Sequence, residues 1–519
     1  MILRQVRVNI EGKAARARRW LGKHPVPAWL IITGGIILRL RQYAEYLSMG
    51  NDEAALARNI GARSFVGLTQ PLDYRQGAPI LFLFIEKAFI LVFGNRDFVL
   101  GLFPLMSGLL ALFIFYRIVD RSFGWAGLLA LYAFAFSRQL INYSSVQKQY
   151  SSDVLMAVLL IHLYSRCVDR KARTRDFALM GISGAVGIWV SHPSALVFPG
   201  IAMVLAFGAW KRKDARALRW SLAVGTVWAA SLAANFVLSL RILAADPYFE
   251  SYWLHAFMPW PPWSNPGWYL ETYRSLLYMS INRTDLGFAW GWFIFTLLGA
   301  LSLLVRKKTL AWVLLLPLIV SLAASALHMY PLRFRLLLFL LPVVYLLLAE
   351  GFHRVFLVAA RLRPVPALPV YAALCLGMLW PTLVDAKRTL FSPVRLYDMR
   401  AIVQSVQQNW EAGDGILVSG GGETFAYYAE SFGLKTGMTI IDTNHRIVRY
   451  GAYQEYLDRL STNQRVWVIF AHFEEDPSYT RYSDYLRKQG SIERQLHVGY
   501  ARAYLWRPKQ WLLGTMTTE

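Results

Sequence analysis

Acidic side chains are scarce in this sequence. Its 519 residues carry 32 Asp and Glu against 55 Lys and Arg, a formal net charge of +23. Charged residues of both signs make up only 17%, against about 25% in an average soluble domain, while 56% of the residues are hydrophobic and 15% aromatic. That shortage excludes an ordinary soluble enzyme and a disordered basic protein alike. Cysteine is nearly absent: Cys167 and Cys375 sit in or beside apolar runs, so no disulfide framework staples an external domain. No His/Cys cluster has zinc spacing, and no Ser/His/Asp set can be assembled from the sequence. No internal repeat of the kind found in secondary transporters is visible. The glycine cluster Ser419-Gly420-Gly421-Gly422-Glu423 lacks the Lys-Ser/Thr ending of a phosphate loop and reads as a tight turn from a strand into a helix.

What the chain has in abundance is apolar length. Stretches near 26–40, 99–116, 124–138, 153–167, 177–190, 194–210, 220–240, 288–305, 309–327, 336–352 and 368–384 each suit a membrane span. They predict an α-helical polytopic membrane protein with about 11 transmembrane helices. The charge of +23 first suggests nucleic-acid binding, but its distribution speaks against that. Residues 1–384 hold 39 basic and 17 acidic side chains, whereas residues 385–519 hold 16 and 15. The excess falls in Arg4–Lys23, Arg117–Arg121, Arg166–Arg175, Lys211–Arg219, Arg306–Lys308 and Arg354–Arg363, alternating with basic-poor loops such as Ser191–Pro193. Basic short loops stay in the cytosol, which puts the N-terminus inside and, with an odd span count, the chain from Asp385 outside. No small-residue cleavage site follows the first apolar run, which reads as a retained span.

The organisation expected is a transmembrane domain over 1–384, with long outer loops at 41–98 and 241–287, and a small extracytoplasmic α/β domain over 385–519. In that tail Leu396–Asn409, Glu423–Glu430 and Tyr479–Lys488 read as helices, and Gly415–Ser419 and Arg465–Phe470 as strands. Arg502–Trp506 reads as an edge strand.

Candidate chemistry gathers on the outer side. Asn51-Asp52-Glu53 follows the first span, and Ala54–Phe65 suits a helix lying in the interface. Asp52 and Glu53 have two readings: solvated N-cap residues, a role that suits Asp52 and carries a favourable dipole contribution, or a general base or metal ligand at the lipid–water boundary. Cations on that side are few: Arg138, Lys148, Arg333, Arg335 and those of the long loops. Arg333 and Arg335 are either snorkelling anchors or phosphate ligands. Lys148, five residues before Asp153, is either a solvated loop lysine or a phosphate contact. The loop Trp253–Tyr269, with Pro259, Trp260, Pro261, Pro262 and Trp263, either forms an aromatic belt in the headgroups or roofs a site.

Several runs carry a family resemblance: Leu38-Arg39-Leu40, Gly50-Asn51-Asp52-Glu53-Ala54, Leu72-Asp73-Tyr74-Arg75-Gln76-Gly77-Ala78-Pro79 and Tyr143-Ser144-Ser145-Val146-Gln147-Lys148-Gln149-Tyr150-Ser151-Ser152-Asp153. Together they resemble a membrane glycosyltransferase of the GT-C superfamily. The nearest group is that of the dolichyl-phosphate-mannose protein mannosyltransferases, with the bacterial aminoarabinose transferases. The resemblance covers about residues 25–160, extends to His328–Pro342, and reaches the tail in outline.

It implies a GT-C fold and an inverting hexosyl- or pentosyltransferase. The enzyme would move a sugar from a polyprenyl phosphate donor to a glycolipid, polysaccharide or protein acceptor on the outer face of the cytoplasmic membrane. The same resemblance implies Asp52 as the catalytic carboxylate, with Glu53 beside it and Asp153 as a second acid. A divalent metal ion, if one takes part, would fall to Asp52 and Asp153. Substrate contacts would come from Tyr74, Gln76, Arg138, Lys148, Arg333 and Arg335, with no nucleic acid involved. The chain departs from the aminoarabinose branch at Gln76-Gly77, where that branch has Glu-Lys. A polytopic transporter or lipid-carrier flippase is the competing class; it predicts charged or broken segments in mid-membrane, whereas these acids cluster at the outer boundary. A scaffold that recruits partners through its tail finds no electrostatic support in the tail's near-neutral charge.

Overall fold

The computed structural model describes residues 26–509 apart from 46–47, 170, 363, 394–397, 435–440, 444–455, 458, 461–464, 472–477 and 500. The basic stretch Arg4–Lys23, with Arg170 and Arg363, lies outside the described residues.

Leu-, Ile-, Ala- and Phe-rich stretches with no water to bond their backbones must close their hydrogen bonds internally, and they do so as helices. A helix occupies each of the expected spans: Val26–Glu45, Leu102–Ser122, Leu128–Phe136, Tyr150–Cys167, Thr174–Val190, Ser194–Lys211, Ala215–Asn235, Leu286–Arg306, Lys308–Ala326, Leu341–Leu362 and Pro364–Phe391. Among the described residues six helical segments are long and apolar enough to cross a membrane by length and composition. They are Asp97–Ser122, Ser194–Lys211, Ala215–Ala244, Gly287–Arg306, Lys308–Ala326 and Phe334–Arg361.

Small residues set the closest approach in this bundle. A Cβ on Gly299 would lie 1.8 Å from the Leu347 carbonyl oxygen, and one on Gly351 would lie 1.9 Å from that of Phe295. Only glycine lets Leu286–Arg306 and Leu341–Leu362 touch backbone to backbone. Phe295 and Phe352 stack beside the contact, with centroids 3.9 Å apart. The packing matters for function because the 3-10 turn Phe334–Leu340, which carries Arg335, leads directly into the second of these helices. Arg39 is fully buried for a different reason. Its guanidinium donates to the carbonyls of Ala135 (2.9 Å) and Phe134 (3.3 Å), capping the C-terminal end of Leu128–Phe136.

Among the described residues the tail holds a five-stranded sheet of order β2-β1-β3-β5-β4. Its strands are β1 (Gly415–Ser419), β2 (Ile441–Thr443), β3 (Val466–Phe470), β4 (Gly490–Val498) and β5 (Ala501–Pro508). β1 runs parallel to β2 and β3, while β5 is antiparallel to β3 and β4. The helices Met399–Gln408, Gly422–Ser431 and Ser478–Gln489 fall where the sequence places them. β5 is not the edge expected of Arg502–Trp506. The polar strand β4, mostly exposed, lies outside it and gives no apolar signal of its own.

The helix Pro364–Phe391 continues past Asp385, the expected start of the tail. Beyond it, one hydrophobic core joins the segment after the first helix to the sheet domain. Met49, Leu56, Ile60, Phe82 and Leu100 pack in the same cluster as Met399, Ile402, Val403, Phe425, Tyr428 and Trp467.

Candidate active site at one end of the bundle

Helix geometry separates the two neighbouring acids. Asp52 and Glu53 lie in the first turn of Asn51–Ala62, where successive side chains diverge by about 100°. The Asp52 side chain is 51% exposed and faces Arg335, whose Nη2 donates to its Oδ2 at 2.9 Å. Glu53 turns inward and is only 5% exposed. It lies in the electrostatic neighbourhood of Tyr143 and Lys148.

Arg335 has a second partner, because its Nε donates to the Tyr150 hydroxyl at 2.8 Å. Tyr150 starts the helix Tyr150–Cys167 and lies in the electrostatic neighbourhood of Arg335, Asp52 and Asp153. Asp153 is buried in the first turn of that helix. Phe334, between the two arginines, has φ of 43°, a left-handed conformation that costs a bulky residue energy. Arg333 reaches Glu271 at 3.4 Å, away from the Asp52–Arg335 pair.

Lys148 comes from the loop before the Tyr150 helix and is buried. Its Nζ donates to Gln76 Oε1 at 2.6 Å. Burial pushes the ammonium down to about 8, against a smaller upward pull from Asp52. The loop carrying Gln76 is held under strain. Tyr74 and Arg75 have φ of 60° and 52°, Arg58 lies 4.7 Å over the Tyr74 ring, and Arg75 lies 4.2 Å over that of Tyr248. At Gly77 a Cβ would come within 2.7 Å of Leu243, so the residue after Gln76 has little room for a side chain.

The structure thus brings Asp52, Glu53, Arg335, Lys148 and Gln76 into one neighbourhood, with the buried Asp153 near Tyr150, whereas the Tyr74 ring lies under Arg58 in the electrostatic neighbourhood of Glu423. Arg138 does not join them: it pairs with Asp385 at 3.6 Å, between the bundle and its last helix. Among the described residues no group of three or more His, Cys, Asp or Glu converges to hold a metal ion. Asp52 meets a guanidinium instead, and the residues present make no divalent-cation cage.

Sequence reasoning missed Tyr150, Tyr252 and Asn51. Tyr252 lies in the helix Pro247–Trp253, in the electrostatic neighbourhood of Arg335 and Asp52, and stacks on Tyr248 at 5.6 Å. Its signal was the i,i+4 aromatic spacing with Tyr248. In the aromatic loop beyond, Trp260 and Trp263 are 75% and 78% exposed, which suits headgroup contact better than a roof.

Comparison with known proteins bears on the fold. Residues 77–237 match the family model for dolichyl-phosphate-mannose-protein mannosyltransferase. The fold is similar to that of ArnT from Cupriavidus metallidurans bound to undecaprenyl phosphate, with a TM-score of 0.52, 11% identity, and 93% of this chain and 98% of that one covered. It is also similar to the Archaeoglobus fulgidus oligosaccharyltransferase. The form tethered to an acceptor peptide gives a TM-score of 0.53 at 12% identity, covering 94% and 75% of the two chains. The form complexed with Zn and sulfate gives 0.52 at 11%, covering 88% and 69%. None of the curated proteins matches the sequence significantly. The family model thus matches a part of the chain, and the chain's fold is similar to that of ArnT and of the oligosaccharyltransferase.

Proposed function

We propose that the protein is an inverting glycosyltransferase that moves a hexosyl or pentosyl group from a polyprenyl phosphate donor to a glycolipid, polysaccharide or protein acceptor. The observation that carries this reading is the half-exposed Asp52 carboxylate, oriented by Arg335 and set beside the buried Lys148. The likeness to ArnT with undecaprenyl phosphate and to the mannosyltransferase family model supports the donor class.

In this reading Asp52 takes the proton of the acceptor hydroxyl as its oxygen attacks the anomeric carbon. The bond from that carbon to the phosphate oxygen breaks on the opposite face, and the carrier leaves as polyprenyl phosphate. The charge that develops there needs preorganised cations. Lys148 supplies one, Arg335 shares its five donors between base and phosphate, and Arg333 stands at the rim. The multi-pass bundle lies in the cytoplasmic membrane with its N-terminus inside and the domain of residues 385–519 outside, where it serves acceptor handling.

The test is transfer of a labelled sugar from a synthetic polyprenyl phosphate donor. Asp52→Asn keeps the size of the side chain but cannot take the proton, so turnover is expected to fall by about 10²–10⁴. Binding of polyprenyl phosphate should persist. Near-parental transfer by this variant at equal expression would remove Asp52 from the chemistry.

A further inference from the structure

The catalytic helix Asn51–Ala62 is not capped by its own sequence. Its N-cap, Gly50, has no side chain to offer, and Asn51 turns its amide away. Asn51 Oδ1 instead accepts from the backbone N–H groups of Glu423 (3.0 Å) and Thr424 (3.3 Å). Those amides open the helix Gly422–Ser431 of the tail, so a residue of the membrane part caps a helix of the outer domain. Two further contacts bracket the same segment. The Met49 N–H donates to the Tyr428 hydroxyl at 2.9 Å, and that hydroxyl donates to Asp97 Oδ2 at 2.7 Å. Arg58 pairs with Glu423 at 2.5 Å and Glu430 at 2.8 Å. One tail helix therefore holds residues 49, 51 and 58, and Asp52 lies inside that grip.

The glycine cluster explains how the helix end comes so close. Gly420 has φ of +82°, and a Cβ on Gly421 would lie 2.8 Å from Ala471 and 2.9 Å from Met399. The turn is built to seat the helix end against Asn51, where a phosphate loop would present the same amides to a ligand.

We propose that the C-terminal domain is a positioning part of the active site, with Asn51 the positioning residue that fixes the direction of the Asp52 carboxylate. The proposal rests on Asp52 being the base. Its consequence is kinetic: loss of the Asn51 contact displaces the base while leaving the carrier's cations in place. Displacements near 1 Å cost about 10²-fold in rate.

Asn51→Leu removes the acceptor at similar size, whereas Asn51→Asp keeps it and adds a charge that suits a helix N-terminus. Each variant is measured at its own pH optimum, because the added carboxylate raises that of Asp52. Asn51→Leu is expected to lower kcat by about 10- to 100-fold with polyprenyl phosphate binding unchanged, and Asn51→Asp to restore most of the rate. Parental kcat in Asn51→Leu, or loss of carrier binding together with kcat, overturns the proposal. Should Asn51→Leu not fold, Arg58→Gln must show the same split between rate and binding, and a parental rate there is equally fatal. Asp52→Asn separates the two failures: an active Asp52→Asn variant sinks the base assignment, while an inactive one beside a parental Asn51→Leu sinks only the positioning role.

Discussion

Lys148 is buried where water cannot solvate its ammonium, and the charge it keeps is conditional. With its value pushed down to about 8, it is protonated at neutral pH and becomes neutral as pH rises through 8. The attraction it offers a phosphate is present below that pH and lost above it. Affinity for polyprenyl phosphate is therefore expected to hold to about pH 8 and then fall towards tenfold per pH unit, until the bound complex's own higher value is passed. Lys148→Arg should abolish that decline, because a guanidinium stays charged throughout. A binding titration from pH 6.5 to 9.5 reads both, and an unchanged slope in the arginine variant would remove Lys148 from the phosphate site. Much of this site was legible at the residue level: Asp52, Lys148 and Arg335 stood out because charges are rare in so apolar a chain. Tyr150 and Asn51 did not, since a tyrosine at a helix start and an asparagine beside two acids look ordinary until their partners, 185 and 372 residues away, are known.

Elements that hide their backbones in lipid announce themselves by apolar length, which is why the helices of the bundle lay where the sequence put them. β4 did not, because Ser491–His497 is polar and its strand character comes from pairing with β5. The seat of Arg335 is likewise an affair between elements. Gly299 and Gly351 bring two helices into backbone contact, and Ser302 donates to Glu350 at 2.7 Å one turn along. Gly351→Val would drive side-chain carbons into the Phe295 carbonyl, and the helices must part. A loss of about 3 kcal/mol or more in stability is expected, as for overpacked interiors. Thermal unfolding in detergent should register it, together with lower transfer activity because the turn bearing Arg335 moves with its helix. An unshifted unfolding temperature would show that the contact is slack.

At the scale of the whole molecule, charge and core tell different stories. Charge divides the chain near residue 385, basic before and balanced after. The hydrophobic core divides it elsewhere, since Leu56, Ile60 and Phe82 pack with Ile402, Phe425 and Trp467. The proposed outer-face placement of this balanced tail predicts that a cysteine at Gln495, in the exposed stretch of β4, reacts with a membrane-impermeant maleimide in intact spheroplasts. Protection there, with reaction after lysis, would put the tail in the cytosol and reverse the assigned topology. The shared core also governs how such proteins can be recombined. A hybrid that grafts a relative's tail onto this bundle at residue 385 would join two halves of a core that never matched each other. The module that can be exchanged as a piece is discontinuous: residues 48–100 must travel together with 399–508, and a sequence boundary drawn with one cut will miss it.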